Sequence, residues 1–206
     1  MSAIALPASS EGTIPVVPHP LWRLSVERYH HMIQAGFLTE DDSVELLEGL
    51  LVAKMNKSPR HCAAGRLVRQ ALERVVPAGW FVDTQDPITL SDSEPEPDAV
   101  VTAVDRGTLL DRHPGIGEVG LVVEISDTSL PRDRTTKRRL YAQSAIPVYW
   151  VVNLVEDRVE VYSEPSGPAD MPDYARQDRY RREDEIPVVL NGHEVGRIRT
   201  GELLPG

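Results

Sequence analysis

A single cysteine, Cys62, stands among 206 residues. One thiol makes no disulfide within the chain and no cysteine-built zinc site, and it suits a reducing compartment, the cytoplasm. Long apolar runs are also missing: none approaches the roughly 20 residues that a membrane-spanning helix needs. The N-terminal stretch MSAIALPASSEGTIPVVPHP has neither the basic start nor the continuous apolar core of a secretory signal. Rich in Pro and Ser, residues 1–18 read as a loose arm. The acceptor pattern at Asn56 carries no weight without an export signal. Aromatics are only 5% of the chain, too few for a base-stacking platform. Positive charge is in deficit, 22 Lys and Arg against 32 Asp and Glu for a net charge of −10. That excludes affinity drawn from a generally basic surface, though not a local basic patch.

The chain is long enough, at 41% hydrophobic content, for a domain with a real core. Apolar residues at helical spacing predict a helix within 20–38. SVELLEGLLVAKM (43–55) predicts a hairpin turning at Glu48-Gly49. A Ser-Pro entry signal opens a helix over 58–76, which Pro77 ends. Short β-like segments follow at 79–85, 87–90, 97–104 and 119–126. Then come a helix from about Arg132 to Ala145 and a strand at 148–154. The tail alternates over 157–163, 174–182 and 186–198, an antiparallel meander with an Asn-Gly turn at Asn191. Two apolar strands joined through a helix imply a βαβ crossover covered on both faces. The expected class is α/β (α+β) around a mixed sheet.

Within that pattern Glu124 is out of place. It follows Leu121, Val122 and Val123 and precedes Ile125, so a carboxylate sits where every neighbour asks for burial. Asp98 opens the strand DAVVTAV, and Lys137 lies on the helix after Glu124. If the two strands are antiparallel neighbours, the carboxylates approach each other and repel unless a cation joins them. Mg²⁺ (or Mn²⁺) suits one or two carboxylates plus waters and phosphate oxygens, and it activates water for hydrolysis. A lysine beside it can position the water or stabilise the developing charge.

EPEPDAVV followed by LVVEISDTSLPRDRTTKRRLYAQSAIPVYWVVN resembles the Uma-two family of restriction-endonuclease-like proteins, within the PD-(D/E)xK nuclease group. VELLEGLLVAKMNKSPRH is similar to that family's N-terminal signature, and the likeness runs from about residue 25 to 163. It implies a restriction-endonuclease-like core: a mixed central sheet flanked by helices, residues 19–163, with 164–206 a C-terminal β extension on the same domain. It also implies a metal-dependent endonuclease acting on nucleic acid; DNA is the expected substrate, though the sequence does not separate DNA from RNA. Element order together with the likeness suggests a homodimer through the N-terminal helix and the C-terminal meander.

Carried over by residue, Asp98 and Glu124 become the metal ligands. The usual lysine would stand at position 126, which is Ser126, so the resemblance assigns its role to Lys137. Asp133, four residues earlier on the helix, is then expected to pair with Lys137 and orient it. The family pattern adds an acid at Glu45 or Glu48 and a His matching His61, taken as supporting. Strand alternation lets only one of the two glutamates face the site, and Glu45 is preferred because Glu48 sits in the turn.

Bland readings stand beside these. Glu124 can be a structural ion-pair residue, and Asp98 a turn residue after Pro97. RDRTTKRR is a local basic patch from which Arg134 and Arg138 could meet phosphate, or it is a solvated helix face. Tyr141 reads as helix packing, and Tyr149 and Trp150 as core and rim. His61 and Cys62, adjacent on a helix, point about 100° apart and form no dyad. The alternative to an endonuclease is a catalytically silent module of the same fold that binds protein or nucleic acid. A metal-free carboxylate glycosidase ranks last, for want of an aromatic sugar groove.

Overall fold

The computed structural model describes residues 20–39 and 41–206; the expected N-terminal arm, 1–18, lies outside them. Helix α1 spans Val26–Gln34, shorter than the 20–38 pattern, because Ser25 caps it by accepting from the Arg28 N–H. Strands β1 (Val44–Leu47) and β2 (Leu50–Ala53) form the expected hairpin. Glu48 (φ 49°) and Gly49 (φ 75°) supply the two positive φ values of a tight turn whose twist suits the strands. A Cβ at Gly49 would lie 2.6 Å from the Arg23 Cβ, so close approach as well as conformation calls for glycine. Helix α2 spans Pro59–Val75. Ser58 caps it and Pro59 opens it, and Ala64, Val68, Ala71 and Leu72 are its buried face.

Strands β3 (Phe81–Asp83), β4 (Ala99–Thr102), β5 (Val119–Ser126), β6 (Val148–Asn153), β7 (Arg158–Pro165) and β8 (Tyr174–Arg181) form one six-stranded sheet in chain order. Only β5 and β6 run parallel; the other pairs are antiparallel. Their crossover is helix α3, a turn Leu130–Arg132, a π-helical turn Asp133–Lys137 and a segment Arg138–Gln143. The expected strand at 87–90 makes only a Thr89–Gly115 bridge. The tail is also not one meander. β8 completes the central sheet, while β9 (Glu185–Leu190) and β10 (His193–Arg199) form a separate hairpin turning at Asn191-Gly192.

The central strands β4, β5 and β6 are buried on both faces, as a βαβ crossover demands, while the edge strand β8 is largely exposed. One face, with Leu121, Val123, Trp150 and Val152, packs under α2 and the β9–β10 hairpin. The other, with Val122, Tyr149, Val151 and Tyr162, packs with Leu140 and Tyr141 of α3. Tyr149 and Trp150, expected to divide between core and rim, are both 0% exposed, on opposite faces of β6. Among the described residues no helix is long and apolar enough to cross a membrane.

Candidate active site

Register brings the two acids together. Ala99 pairs with Val123 across the antiparallel β4–β5 ladder, so one step further sets Asp98 opposite Glu124. Residues directly opposite in such a pair have Cβ atoms about 5 Å apart on one face. Both line a cavity of about 130 Å³, with room for several waters. Glu45, His61, Asp133 and Lys137 line it too, as do Lys57 and Arg132.

Glu124 is 6% exposed. Its Oε1 accepts from the Tyr141 hydroxyl at 2.7 Å and lies 3.1 Å from Lys137 Nζ. No hydrogen bond among the described residues falls on Oε2. Burial pushes the Glu124 carboxyl up to about 8; Lys137 opposes that, and the nearby Asp133, Asp98 and Glu45 reinforce it. Asp98 behaves differently. Burial would raise it, but the His61 contact, the Lys57 charge and the Ile125 N–H outweigh burial and hold it below the ordinary carboxylate range. Its Oδ2 accepts from Ile125 N at 2.9 Å and from His61 Nε2 at 3.0 Å, while Lys57 Nζ sits 3.2 Å from Oδ1. The other ring nitrogen of His61, Nδ1, is buried without a partner.

Lys137 reaches the site from the π-helical turn, where a wider winding interrupts α3, a feature common at functional positions. It is 2% exposed, and its Nζ donates to Glu45 Oε2 at 2.7 Å. Burial would lower the ammonium, but Glu124 and Glu45 hold it well above the ordinary lysine value, so it stays charged. Glu45 therefore faces the cavity, whereas Glu48 pairs with Arg139 at the turn.

Asp133 does not form the expected pair with Lys137. Its Oδ2 accepts from the hydroxyls of Ser126 (2.7 Å) and Ser129 (2.6 Å). Ser126, at the place where the resemblance puts a lysine, thus anchors α3 to the end of β5, and Asp133 acts on Lys137 through charge alone. Arg134 and Arg138 point elsewhere: Arg134 holds the buried Glu160 and also Glu156, and Arg138 holds Asp173 beside the Tyr162 ring. Both are paired within the chain, and neither lines the cavity of Asp98 and Glu124.

Two contacts escaped the sequence. Tyr141 was assigned to packing, yet its hydroxyl touches Glu124; its place one turn after Lys137 was the available signal. Lys57, in the loop before Ser58, left no signal for its contact with Asp98.

The pattern of a known family matches residues 26–194, most of the chain, under the description "Putative restriction endonuclease". The chain belongs to the Uma2 family. Its fold is also that of a crystal structure titled a putative nuclease belonging to DUF820, from Anabaena variabilis. The TM-score is 0.59 at 17% identity, over 82% of this chain and 94% of that one. No curated protein matches the chain. At that identity the structural likeness concerns the Uma2 fold; the chemistry rests on the side chains.

Those side chains fit a hard dication. Asp98 and Glu124 offer carboxylate oxygens on one cavity wall, the donor type Mg²⁺ and Mn²⁺ prefer. Among the described residues no group of three or more His, Cys, Asp or Glu is arranged to hold a metal ion.

Proposed function

We propose that this chain is an endonuclease that hydrolyses phosphodiester bonds of nucleic acid, DNA first, with Mg²⁺ or Mn²⁺ held by Asp98 and Glu124. The observation that carries it is the meeting of Asp98, just before β4, Glu124 of β5 and Lys137 of α3 on one cavity. A dication bound there supplies a more acidic water and stabilises charge on the phosphate. Glu124 and Glu45 hold the Lys137 ammonium charged, and in this reading it stabilises the negative charge that develops on the phosphate. Glu45 keeps that amine in place, and His61 and the Ile125 N–H fix one oxygen of Asp98. Tyr141 donates to Oε1 of Glu124, a residue of the cavity wall, and leaves Oε2 without a hydrogen bond among the described residues. Two copies are proposed to pair through the surface around α1, where Leu21, Trp22, Ile33 and Phe37 stand exposed; sedimentation of Trp22→Ser against wild type tests this.

One observation favours the silent-module reading. Lys57 and Lys137 already sit on the two carboxylates, as expected of a fold stabilised without metal. A single experiment separates the two. Supercoiled plasmid, linear duplex and single strands are incubated with purified protein in EDTA, Mg²⁺ or Mn²⁺, beside Asp98→Asn. Cleavage that needs metal and vanishes in Asp98→Asn is the expected result. Binding without cleavage in every condition favours the silent module, and full activity in Asp98→Asn removes that residue from the chemistry.

A further inference from the structure

Asp98 has one oxygen locked and one available. Oδ2 is fixed by the Ile125 N–H and by His61, whereas Oδ1 meets Lys57 Nζ at 3.2 Å, with no hydrogen bond between them. Lys57 and Lys137 are both cations on the acids of one cavity, yet they differ in what governs mobility. Lys137 is 2% exposed, on a helix, and shared by two carboxylates. The Lys57 side chain is 36% exposed, belongs to no regular element, and has Asp98 as its one ion-pair partner among the described residues. A compact ammonium on a four-carbon stem swings with little resistance. A dication taking Oδ1 would sit within a few Å of that ammonium, where like charges exclude one another.

We infer that Lys57 is a resident counter-ion of Asp98 that is displaced when a divalent cation binds and then contacts a backbone phosphate of the nucleic-acid substrate. The inference rests on the hydrolytic reading above and adds a substrate-binding residue to it. Once displaced, the amine stays tethered to the cavity wall, alongside Lys54 and Arg132. A point-charge contact of this kind positions a strand without reading its sequence. Removing Lys57 therefore has consequences of opposite sign: the metal loses a competitor and the nucleic acid loses a contact. A merely structural lysine would weaken both together.

The test uses the full chain as wild type, Lys57→Met, Lys57→Arg and Asp98→Asn. Free Mn²⁺ is followed by electron paramagnetic resonance during titration. Binding of a labelled, hydrolysis-resistant phosphorothioate DNA duplex, and of its single strand, is followed by anisotropy in Mn²⁺. Lys57→Met should bind Mn²⁺ roughly two- to fivefold more tightly, the scale of one partly exposed ion pair. It should bind the tighter-bound of the two DNA probes several-fold more weakly, with a salt slope smaller by about one phosphate contact, and Lys57→Arg should recover DNA binding. Unchanged or weaker Mn²⁺ affinity in Lys57→Met, with Asp98→Asn still abolishing Mn²⁺ binding, overturns the counter-ion role and leaves the metal site standing. Unchanged DNA affinity overturns the phosphate role. Mn²⁺ binding that is absent in wild type, or indifferent to Asp98→Asn, removes the metal site itself and the inference with it. Thermal unfolding of each variant confirms that the comparison is between folded proteins.

Discussion

Glu124 and Glu160 occupy one row of one sheet, and they have opposite fates. Val151 of β6 pairs with Glu124 on one side and with Glu160 on the other, so the two carboxylates share a face. Each accepts a tyrosine hydroxyl, from Tyr141 at 2.7 Å or Tyr162 at 2.8 Å. Each meets a cation from the same π-helical turn, Lys137 or Arg134. Burial pushes both up. Yet Glu124 rises to about 8, while Glu160 is held down to about 2.

The difference lies in the donors and in the neighbouring acids. Glu160 has both oxygens engaged, by Arg134 and by Asn153, Tyr162 and Arg158. Glu124 has one oxygen engaged, and three further acids press on it. A buried carboxylate is therefore not functional because it is buried. It becomes a candidate when its compensation is incomplete on the side that faces a cavity.

The comparison breaks most visibly on exchange of the acids for amides. Glu124→Gln should lose at least about a hundredfold in cleavage rate while folding normally. Added Mn²⁺ should raise the Tm of wild type and leave that of Glu124→Gln unmoved, because an ion that binds only the native state stabilises it. A Glu124→Gln protein that cleaves at the wild-type rate would make the two acids equivalent after all. Glu160→Gln should do the reverse, costing about 3 kcal/mol in urea unfolding because Arg134 loses its buried partner, with cleavage per folded molecule unchanged.

Acid unfolding sharpens the same contrast. Glu160 falls from its ordinary 4.5 to about 2 in the folded protein. The stability it contributes is then complete above pH 4.5 and drains away as pH drops towards 2. The gap in stability between wild type and Glu160→Gln should narrow across that window, and a constant gap would show that Glu160 is not held low. The smallest effects belong to the tyrosines. Tyr141→Phe and Tyr162→Phe should each cost about 1 kcal/mol, the worth of one hydrogen bond. Only Tyr141→Phe should also slow cleavage, by roughly tenfold, as loss of a group orienting a metal ligand does.

Much of this was legible in the chain. The turns at Glu48-Gly49 and Asn191-Gly192, the Ser58-Pro59 helix start and the eight apolar-flanked residues of β5 are local signals, and the structure follows them. The approach of Asp98 to Glu124 was conditional on their strands being antiparallel neighbours, and the β4–β5 register meets that condition. The strand expected at 87–90 failed because a short apolar run between prolines cannot announce whether a neighbour will pair with it. Asp133 failed for a related reason. Helical spacing put it within reach of Lys137, but two serine hydroxyls were nearer once the end of β5 packed against α3.

Periodicity, capping and turn chemistry act over a few residues, and they set by themselves most of the elements, their order and an acid inside a buried strand. Which cation answers which acid was decided only by packing. Lys137 meets a glutamate 92 positions away, and Arg134, three residues before it, turns to a different strand. Charge compensation depends on distances of a few Å, and those exist only once the helix lies on the sheet.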